Sequence, residues 1–420
     1  MREGTPPPAR KDSRWHHPDF RKLWLGQTIS GFGSAITGLA LPLTAVSILG
    51  ATPGQMGLLG AAGSLPAILF GLLVGVWVDR VQRRPLLIVS EVGRGLLLAS
   101  IPLLAVLDLL HMPYLYVVAF GLGTLSLVFD IAITAFLPSL LSREQLVAGN
   151  SRLQVSGSLA SIAGPGLAGL LVQLITAPIA IVLDAVSYLI SAVSLLFIRS
   201  VDAPRASSRG NRRLGHELAE GIGFVLREPS IRVMTIGSAL GSLALSIRGV
   251  VYILFLTREL RVTPVWIGII FGSVGVASLL GAIAAHPVAR QIGPGPAVIV
   301  GTLLGLVGMA LIPLAPAAPR LAIPFLITAQ VLEGIGGPVY SISQVSLRQA
   351  LTPDRLLGRV NATRRFVVFG IGPIGALTGG LLGQWLGLRG SLGVASAVMG
   401  LSFLWVMLSP LRTMREQPQL

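Results

Sequence analysis

Four ionisable residues interrupt long apolar stretches of this sequence: Asp130, Asp184, Arg248 and Glu333. A charged side chain is unfavourable in apolar surroundings, so such residues pair with one another, bind a proton or contact a polar ligand. A carboxyl group that has lost its water retains a proton at higher pH than it does in solution. We therefore expect Glu333 or Asp130 to be a protonation site. A hydrogen bond to the helix backbone explains each acid singly just as well.

Patterns for covalent catalysis and for cofactor binding are missing from the sequence. It has no cysteine, and its five histidines lack the spacing of metal ligands. Residues 370–375 match a dinucleotide fingerprint, but they lie in an apolar stretch with no preceding strand, so helix packing explains them. No Walker A motif is present. We predict no enzyme activity, no metal and no cofactor.

The composition requires lipid as the main solvent. Of 420 residues, 53% are hydrophobic and 12% are charged, and the mean hydropathy is +0.79. Soluble domains carry about 25% charged residues. Twelve apolar runs reach the roughly 20 residues that a helix needs to cross a bilayer. The sequence predicts an all-α integral membrane protein with twelve transmembrane helices.

The basic residues predict the orientation of these helices. The net charge of +15 could indicate nucleic-acid binding in a soluble protein. Here most of the 32 Lys and Arg residues fall on segments that alternate along the chain, which is the pattern of the positive-inside rule. We expect a multi-pass protein of the plasma membrane with both termini cytoplasmic, and no nucleic-acid partner.

An internal repeat divides the chain at an offset of 211 residues. It matches Pro18 with Pro229, Asn150 with Asn361, and Gly164 with Gly375. The repeat predicts two six-helix bundles, at 23–198 and 231–411, with cytoplasmic tails at 1–22 and 412–420. The linker, 199–230, has helical spacing of apolar residues over 217–227. This segment is either an amphipathic helix at the inner interface or a solvated connection.

An apolar stretch is followed by a short loop that contains one acid and three arginines. The residues of this motif are Gly75, Asp79, Arg80, Arg83 and Arg84. It resembles the loop between spans two and three of Major Facilitator Superfamily transporters, with Gln82 where that family has glycine. The second copy has Ala289 in place of the acid. The resemblance implies a gate that clamps the cytoplasmic ends of the two halves together, whereas a basic loop that only sets topology is the simpler alternative.

Further segments support the resemblance and point to one branch of the superfamily. Residues 20–27, 137–150 and 352–361 resemble the efflux branch that includes macrolide exporters and the enterobactin exporter. Gly164, Pro165 and Gly169 in span five resemble the antiporter signature, with Ala168 where a glycine is expected. They predict a hinge, and helix packing alone explains them nearly as well. The span-four arginine of proton-coupled drug antiporters is absent.

The resemblance implies a secondary transporter that exports a small drug-like or natural-product molecule by alternating access, driven by protons and acting as a monomer. A siderophore exporter and a non-transporting membrane sensor or scaffold are the alternatives. Asp184 and Arg248 lie at similar depth, which predicts an ion pair between the halves that closes the outer side. Candidates for the substrate cavity are Glu333 and Asp130, with the aromatic residues Phe32, Phe129, Tyr252 and Tyr340.

Overall fold

The computed structural model describes residues 18–199 and 214–414. Most of the predicted N-terminal tail, the basic part of the linker and the end of the C-terminal tail lie outside the described residues. Within the described part, twelve helices are long and apolar enough to cross a membrane. The prediction of a twelve-span all-α protein is confirmed.

The first half of the chain forms six of these helices. Thr52 and Ser142 start the second and fifth of them as capping boxes with Gln55 and Gln145. The first helix begins at Pro18, before the predicted start at Leu23. The helices are α1 (Pro18–Ser47), α2 (Pro53–Val78), α3 (Arg83–Val106), α4 (Met112–Leu140), α5 (Arg143–Ile175) and α6 (Ala177–Leu196).

The second half follows the same pattern after one additional helix in the linker, α7 (Leu214–Arg227). The first spanning helix of this half ends in a π-helical turn, Phe255–Glu259. The spanning helices are α8 (Pro229–Leu254), α9 (Pro264–Ile292), α10 (Pro294–Leu311), α11 (Pro319–Leu351), α12 (Asp354–Trp385) and α13 (Gly387–Met407).

The linker helix α7 packs on one end of α12. Glu220 forms an ion pair with Arg359. A side chain at Gly221 would meet the carbonyl oxygen of Arg359 at 2.8 Å and the hydroxyl of Thr363 at 2.6 Å, so the two helix backbones lie very close. The segment is therefore helical, while its position at the inner membrane interface stays a prediction.

Close helix contacts recur at the offset of the sequence repeat. In both halves, glycines at equivalent positions lie against a neighbouring helix of the same half. The matching contacts are Gly26 with Ser191 and Gly237 with Ser402, and Gly164 with Ala35 and Gly375 with Ser246.

The two halves touch each other through a second symmetric pair of glycine contacts. A Cβ atom on Gly169 of α5 would lie 3.0 Å from the Cα atom of Gly268 on α9. A Cβ atom on Gly380 of α12 would lie 3.0 Å from the Cα atom of Gly57 on α2. These backbones therefore touch directly, and the same offset of 211 residues relates the two contacts.

The end of the molecule that carries both termini is called the inner end here, and the opposite end the outer end. At the outer end, one buried cluster contains residues of both halves, such as Leu43 and Phe255. Arg258 also reaches across, donating a hydrogen bond to the Ala51 carbonyl oxygen at 2.8 Å. At the inner end, each large buried cluster belongs to a single half. The two halves thus share one core at the outer end and form separate cores at the inner end.

Replacing Gly169 with valine should hold the outer end open, because the new side chain would collide with Gly268 and with the carbonyl oxygen of Pro264. Spin labels on cysteines introduced at His111 and Ala317 would report the separation of the two halves there, since the chain has no cysteine of its own. We expect the distance between the labels to increase by several ångströms.

The matched control is Gly166→Val on the same helix, where an added Cβ atom meets nothing within 4 Å. This variant introduces the same β-branched residue into α5 and should leave the distance unchanged. Equal distances in both variants would contradict a role of the Gly169 contact in outer closure.

Candidate functional site

An ion pair lies in the middle of the second half. The guanidinium of Arg248 on α8 donates to the carboxylate of Glu333 on α11, and Gln330 lies 3.5 Å from the same guanidinium. Both charged side chains are largely buried, with 16% and 11% exposed. Arg248 also lies over the ring of Tyr252, 5.7 Å from its centroid. A strong, partly desolvated charge pair thus joins the two helices.

The predicted ion pair between Asp184 and Arg248 is wrong for this structure. Asp184 on α6 is fully buried and accepts a hydrogen bond from Ser187 at 3.0 Å. The helix α6 packs on α1 and α3 of its own half, which directs this carboxylate away from the other half. Similar depth in the membrane was therefore an insufficient guide to contact.

The first half holds its own buried ion pair, between Glu91 and Arg94 on α3, with 2.9 Å between the charged atoms. Glu91 is fully buried and also accepts hydrogen bonds from Gln27 at 3.0 Å and Ser191 at 2.7 Å. These two residues are not among the four intramembrane charges predicted from the sequence. Their spacing of three positions within an apolar run was the available signal.

Arg94 extends the first pair toward α4. Its guanidinium lies 4.3 Å from the ring centroids of both Phe129 and Tyr188, which is the geometry of cation–π contacts. Asp130, next to Phe129, is exposed and interacts electrostatically with Arg94 and with Arg365 of the other half. Asp130 thus interacts with an arginine of each half.

The predicted cavity aromatics do not share one surface. Phe129 and Tyr252 are buried, with 3% and 1% exposed, so neither lines an open cavity in this conformation. Phe32 on α1 is half-buried. Tyr340 is half-buried as well, and its hydroxyl shares a hydrogen bond of 2.7 Å with Ser238. The four aromatic side chains do not meet because they point in different directions around their helices.

The span-five residues all contribute to helix packing. Gly164 lies against Ala35 of α1, and Gly169 lies against Gly268 of α9. Pro165 sits within the continuous helix α5, and its carbonyl oxygen faces Gly268. A hinge at these residues stays a prediction.

The predicted gate loop connects α2 and α3 at the inner end. Asp79 and Arg80 are exposed, and no ion pair joins Asp79 to another described residue. Arg83 is buried. Arg84 donates to the carbonyl oxygens of Leu195 and Leu196, at 3.0 and 2.7 Å, and so caps the end of α6. Gly75 has open space around it.

Each half carries, among its described residues, a buried ion pair within its spanning helices. Among the described residues, no three His, Cys, Asp or Glu side chains come together as metal ligands would. The glycine contacts and the shared outer core describe a protein built of two halves that meet at an adaptable interface.

A family model for the Major Facilitator Superfamily matches residues 23–323 and 234–419, nearly the whole chain. The chain belongs to this superfamily. It is accordingly a multi-pass membrane transporter and not an enzyme, as the resemblance implies.

Similar proteins include exporters. The chain is 26% identical over 372 residues to the multidrug efflux pump Tap of Mycolicibacterium fortuitum, covering 86% of this chain and 88% of Tap. It is 25% identical over 406 residues to the enterobactin exporter EntS of Salmonella typhimurium, covering 96% and 95%. A bacterial homologue of the iron transporter ferroportin, solved in an inward-facing state, shares the fold with a TM-score of 0.75 at 19% identity, covering 93% and 98%.

Replacing Glu333 with glutamine should destabilise the protein, because it leaves the buried guanidinium of Arg248 without its counter-charge. Loss of one partner of a buried pair lowers the free energy of unfolding by about 3–5 kcal/mol. The double variant Glu333→Gln/Arg248→Gln should regain most of this loss. Melting temperatures in detergent would measure both effects.

Glu220→Gln provides the comparison, because its ion pair with Arg359 is about one third exposed, at 37% and 31%. An exposed pair contributes about 0–1 kcal/mol, so this variant should melt close to the unmodified protein. A Glu333→Gln protein as stable as the unmodified one would show that the buried pair is not a structural unit.

Proposed function

We propose that this chain exports an amphiphilic organic molecule across the plasma membrane by alternating access, coupled to proton entry. Both termini are then cytoplasmic, and the open inner end admits cargo from the cytoplasm or the inner leaflet. Family membership and the similarity to Tap and EntS support export. The pattern of basic residues supports the orientation.

The observation that carries the proposed coupling is the ion pair of Arg248 and Glu333. These residues sit on α8 and α11, equivalent to spans seven and ten, which line the cleft in the family. Protonation of Glu333 removes its charge and releases the guanidinium of Arg248. Because the two protonation states favour different partners for Arg248, proton binding shifts the balance between conformations.

The exposed Asp130 supplies a second proton acceptor on the opposite wall of the cleft. Its electrostatic partner across the cleft is Arg365. Closure of the inner end brings these two charges nearer, and proton uptake by Asp130 weakens their attraction. Asp130 can therefore link the protonation state to opening of the inner end.

The second candidate function is siderophore export, which the similarity to the enterobactin exporter EntS favours. A non-transporting scaffold is less well supported. The bare glycine contacts between the halves are conserved by the internal repeat and suit two surfaces that move against each other. A static interface would gain stability from interlocking side chains.

Reconstituted vesicles test export and coupling together. We expect an imposed proton gradient to accelerate movement of fluorescent amphiphiles in the unmodified protein, tested with cationic, neutral and anionic dyes. In Glu333→Gln the acceleration should fall at least about tenfold, because the variant cannot exchange the proton. A catecholate siderophore that competes with the dyes would favour the second candidate.

The control for this experiment is Glu259→Gln, which removes an acid of the outer end that pairs with Arg389 at 3.0 Å. It should keep the response to the gradient. An undiminished response in Glu333→Gln would rule out coupling through this residue, and absence of any dye movement in the unmodified protein would count against export.

The gate proposed for the inner loop is tested with Asp79→Asn. Transport should fall about fivefold, since a charge at a helix terminus contributes on the order of 1 kcal/mol to the closed state. The melting temperature should not change, because Asp79 is exposed in this conformation. Asp108→Asn, in an exposed outer loop, is the matched control. Normal transport in Asp79→Asn would reduce the loop to a topology signal.

A further inference from the structure

Two arginines lie close together in the inner half of the second bundle. Arg348 on α11 is buried, with 6% exposed, and Arg364 on α12 is half-buried. The two positive charges repel each other electrostatically. Arg348 donates to the side-chain oxygen of Gln344 at 3.0 Å, and Arg364 donates to the hydroxyl of Ser238 at 3.3 Å.

Neither arginine has an acidic partner within the described residues. Arg94 in the first half shows the usual solution, with Glu91 at 2.9 Å and an aromatic ring on each side. The neighbours of Arg348 and Arg364 are instead neutral hydroxyl and amide groups. Two adjacent positive charges with only neutral partners are costly in a low-dielectric interior.

Three buried side-chain nitrogen atoms of these residues lack a hydrogen-bond partner. The Nε atoms of Arg348 and Arg364 and the Nε2 atom of Gln344 make no hydrogen bond. All three are N–H donors. Leaving a buried donor unpaired costs about 1–3 kcal/mol, and more when the donor is charged. A group that only accepts hydrogen bonds and carries negative charge would satisfy all three.

We propose that Arg348 and Arg364 form a binding site for an anionic group, the carboxylate or similar acid of the exported molecule. Guanidinium groups bind carboxylates through paired hydrogen bonds, and here two of them interact electrostatically without an acidic partner among the described residues. The hydroxyl of Tyr340 lies beside them, hydrogen-bonded to the same Ser238. The identity of the anion as cargo rests on the proposed export function.

The site lies next to the open cleft. Arg365, the next residue on α12, is exposed and interacts electrostatically with Asp130 on the opposite wall. Arg364 is itself partly exposed, so an anion can reach it from the inner end. Asp130 thus interacts with Arg365, not with Arg364.

Binding to the purified full chain in detergent tests this site without any transport. The probes are salicylate, its neutral analogue salicylamide, and inorganic phosphate, each titrated at constant ionic strength while the melting temperature is followed. We expect salicylate to stabilise the unmodified protein and salicylamide to leave it unchanged. In Arg364→Gln and Arg348→Gln, the apparent Kd for salicylate should rise at least about tenfold.

Arg290→Gln is the matched control, because it removes an exposed arginine at the same end of the neighbouring helix α9. It should bind salicylate as the unmodified protein does. Without ligand, Arg364→Gln should melt at a higher temperature than the unmodified protein, because one of two repelling charges is removed. A purely structural arginine would give the opposite shift.

Three results would overturn the proposal: equal responses to salicylate and salicylamide, an unchanged Kd in both arginine variants, or stabilisation by phosphate alone. The last result would assign the site to a small inorganic anion rather than to an organic cargo. Failure of the vesicle experiment would leave this binding result standing, since the two assays share no readout.

Discussion

A buried ion pair survives a movement of the two halves only when both of its partners belong to the same half. The two buried ion pairs, Glu91 with Arg94 and Glu333 with Arg248, obey this constraint, because each lies wholly within one bundle. A buried pair shared between the bundles would be broken whenever the halves separate, at a cost of several kcal/mol. Placing both pairs inside the halves lets each bundle move as a body.

The two halves touch each other through glycines rather than through charged side chains at the following positions. Gly57 and Gly380 meet on one side of the pseudo-symmetry axis, and Gly169 and Gly268 meet on the other. Without side chains there is nothing to interlock, so two helix backbones can slide or tilt with little change in packing. In lipid, such close contact also replaces the hydrophobic driving force that is absent between helices. The absence of side chains at these glycines thus explains both the close packing of the interface and the ease with which its helices can slide.

The sequence predicted correctly those features that depend only on position along the membrane normal, such as the number of spans. Apolar length predicts the spans because every backbone group in lipid must be satisfied within its own helix. Depth alone also suggested a pair between Asp184 and Arg248, and that pair is wrong because helix rotation directs Asp184 into its own bundle. Glu91 and Arg94 lie in the middle of α3 and were missed, although their spacing of three positions within an apolar run was visible in the sequence. The resemblance identified the superfamily, but it could not determine which side chains face the cleft.

The internal repeat makes the charge difference between the halves informative. Phe129 and Tyr340 occupy equivalent positions at the offset of 211 residues, and each lies beside an arginine. In the first half that arginine is neutralised by Glu91, while in the second half Arg364 and its neighbour Arg348 have no acid among the described residues. Two copies that began alike therefore offer unlike walls to the cleft, one bearing the exposed carboxylate of Asp130 and the other an excess of guanidinium groups. If the proposed anion site binds the cargo, we expect the charge distribution of the cargo to orient it, with its acidic end toward the second half.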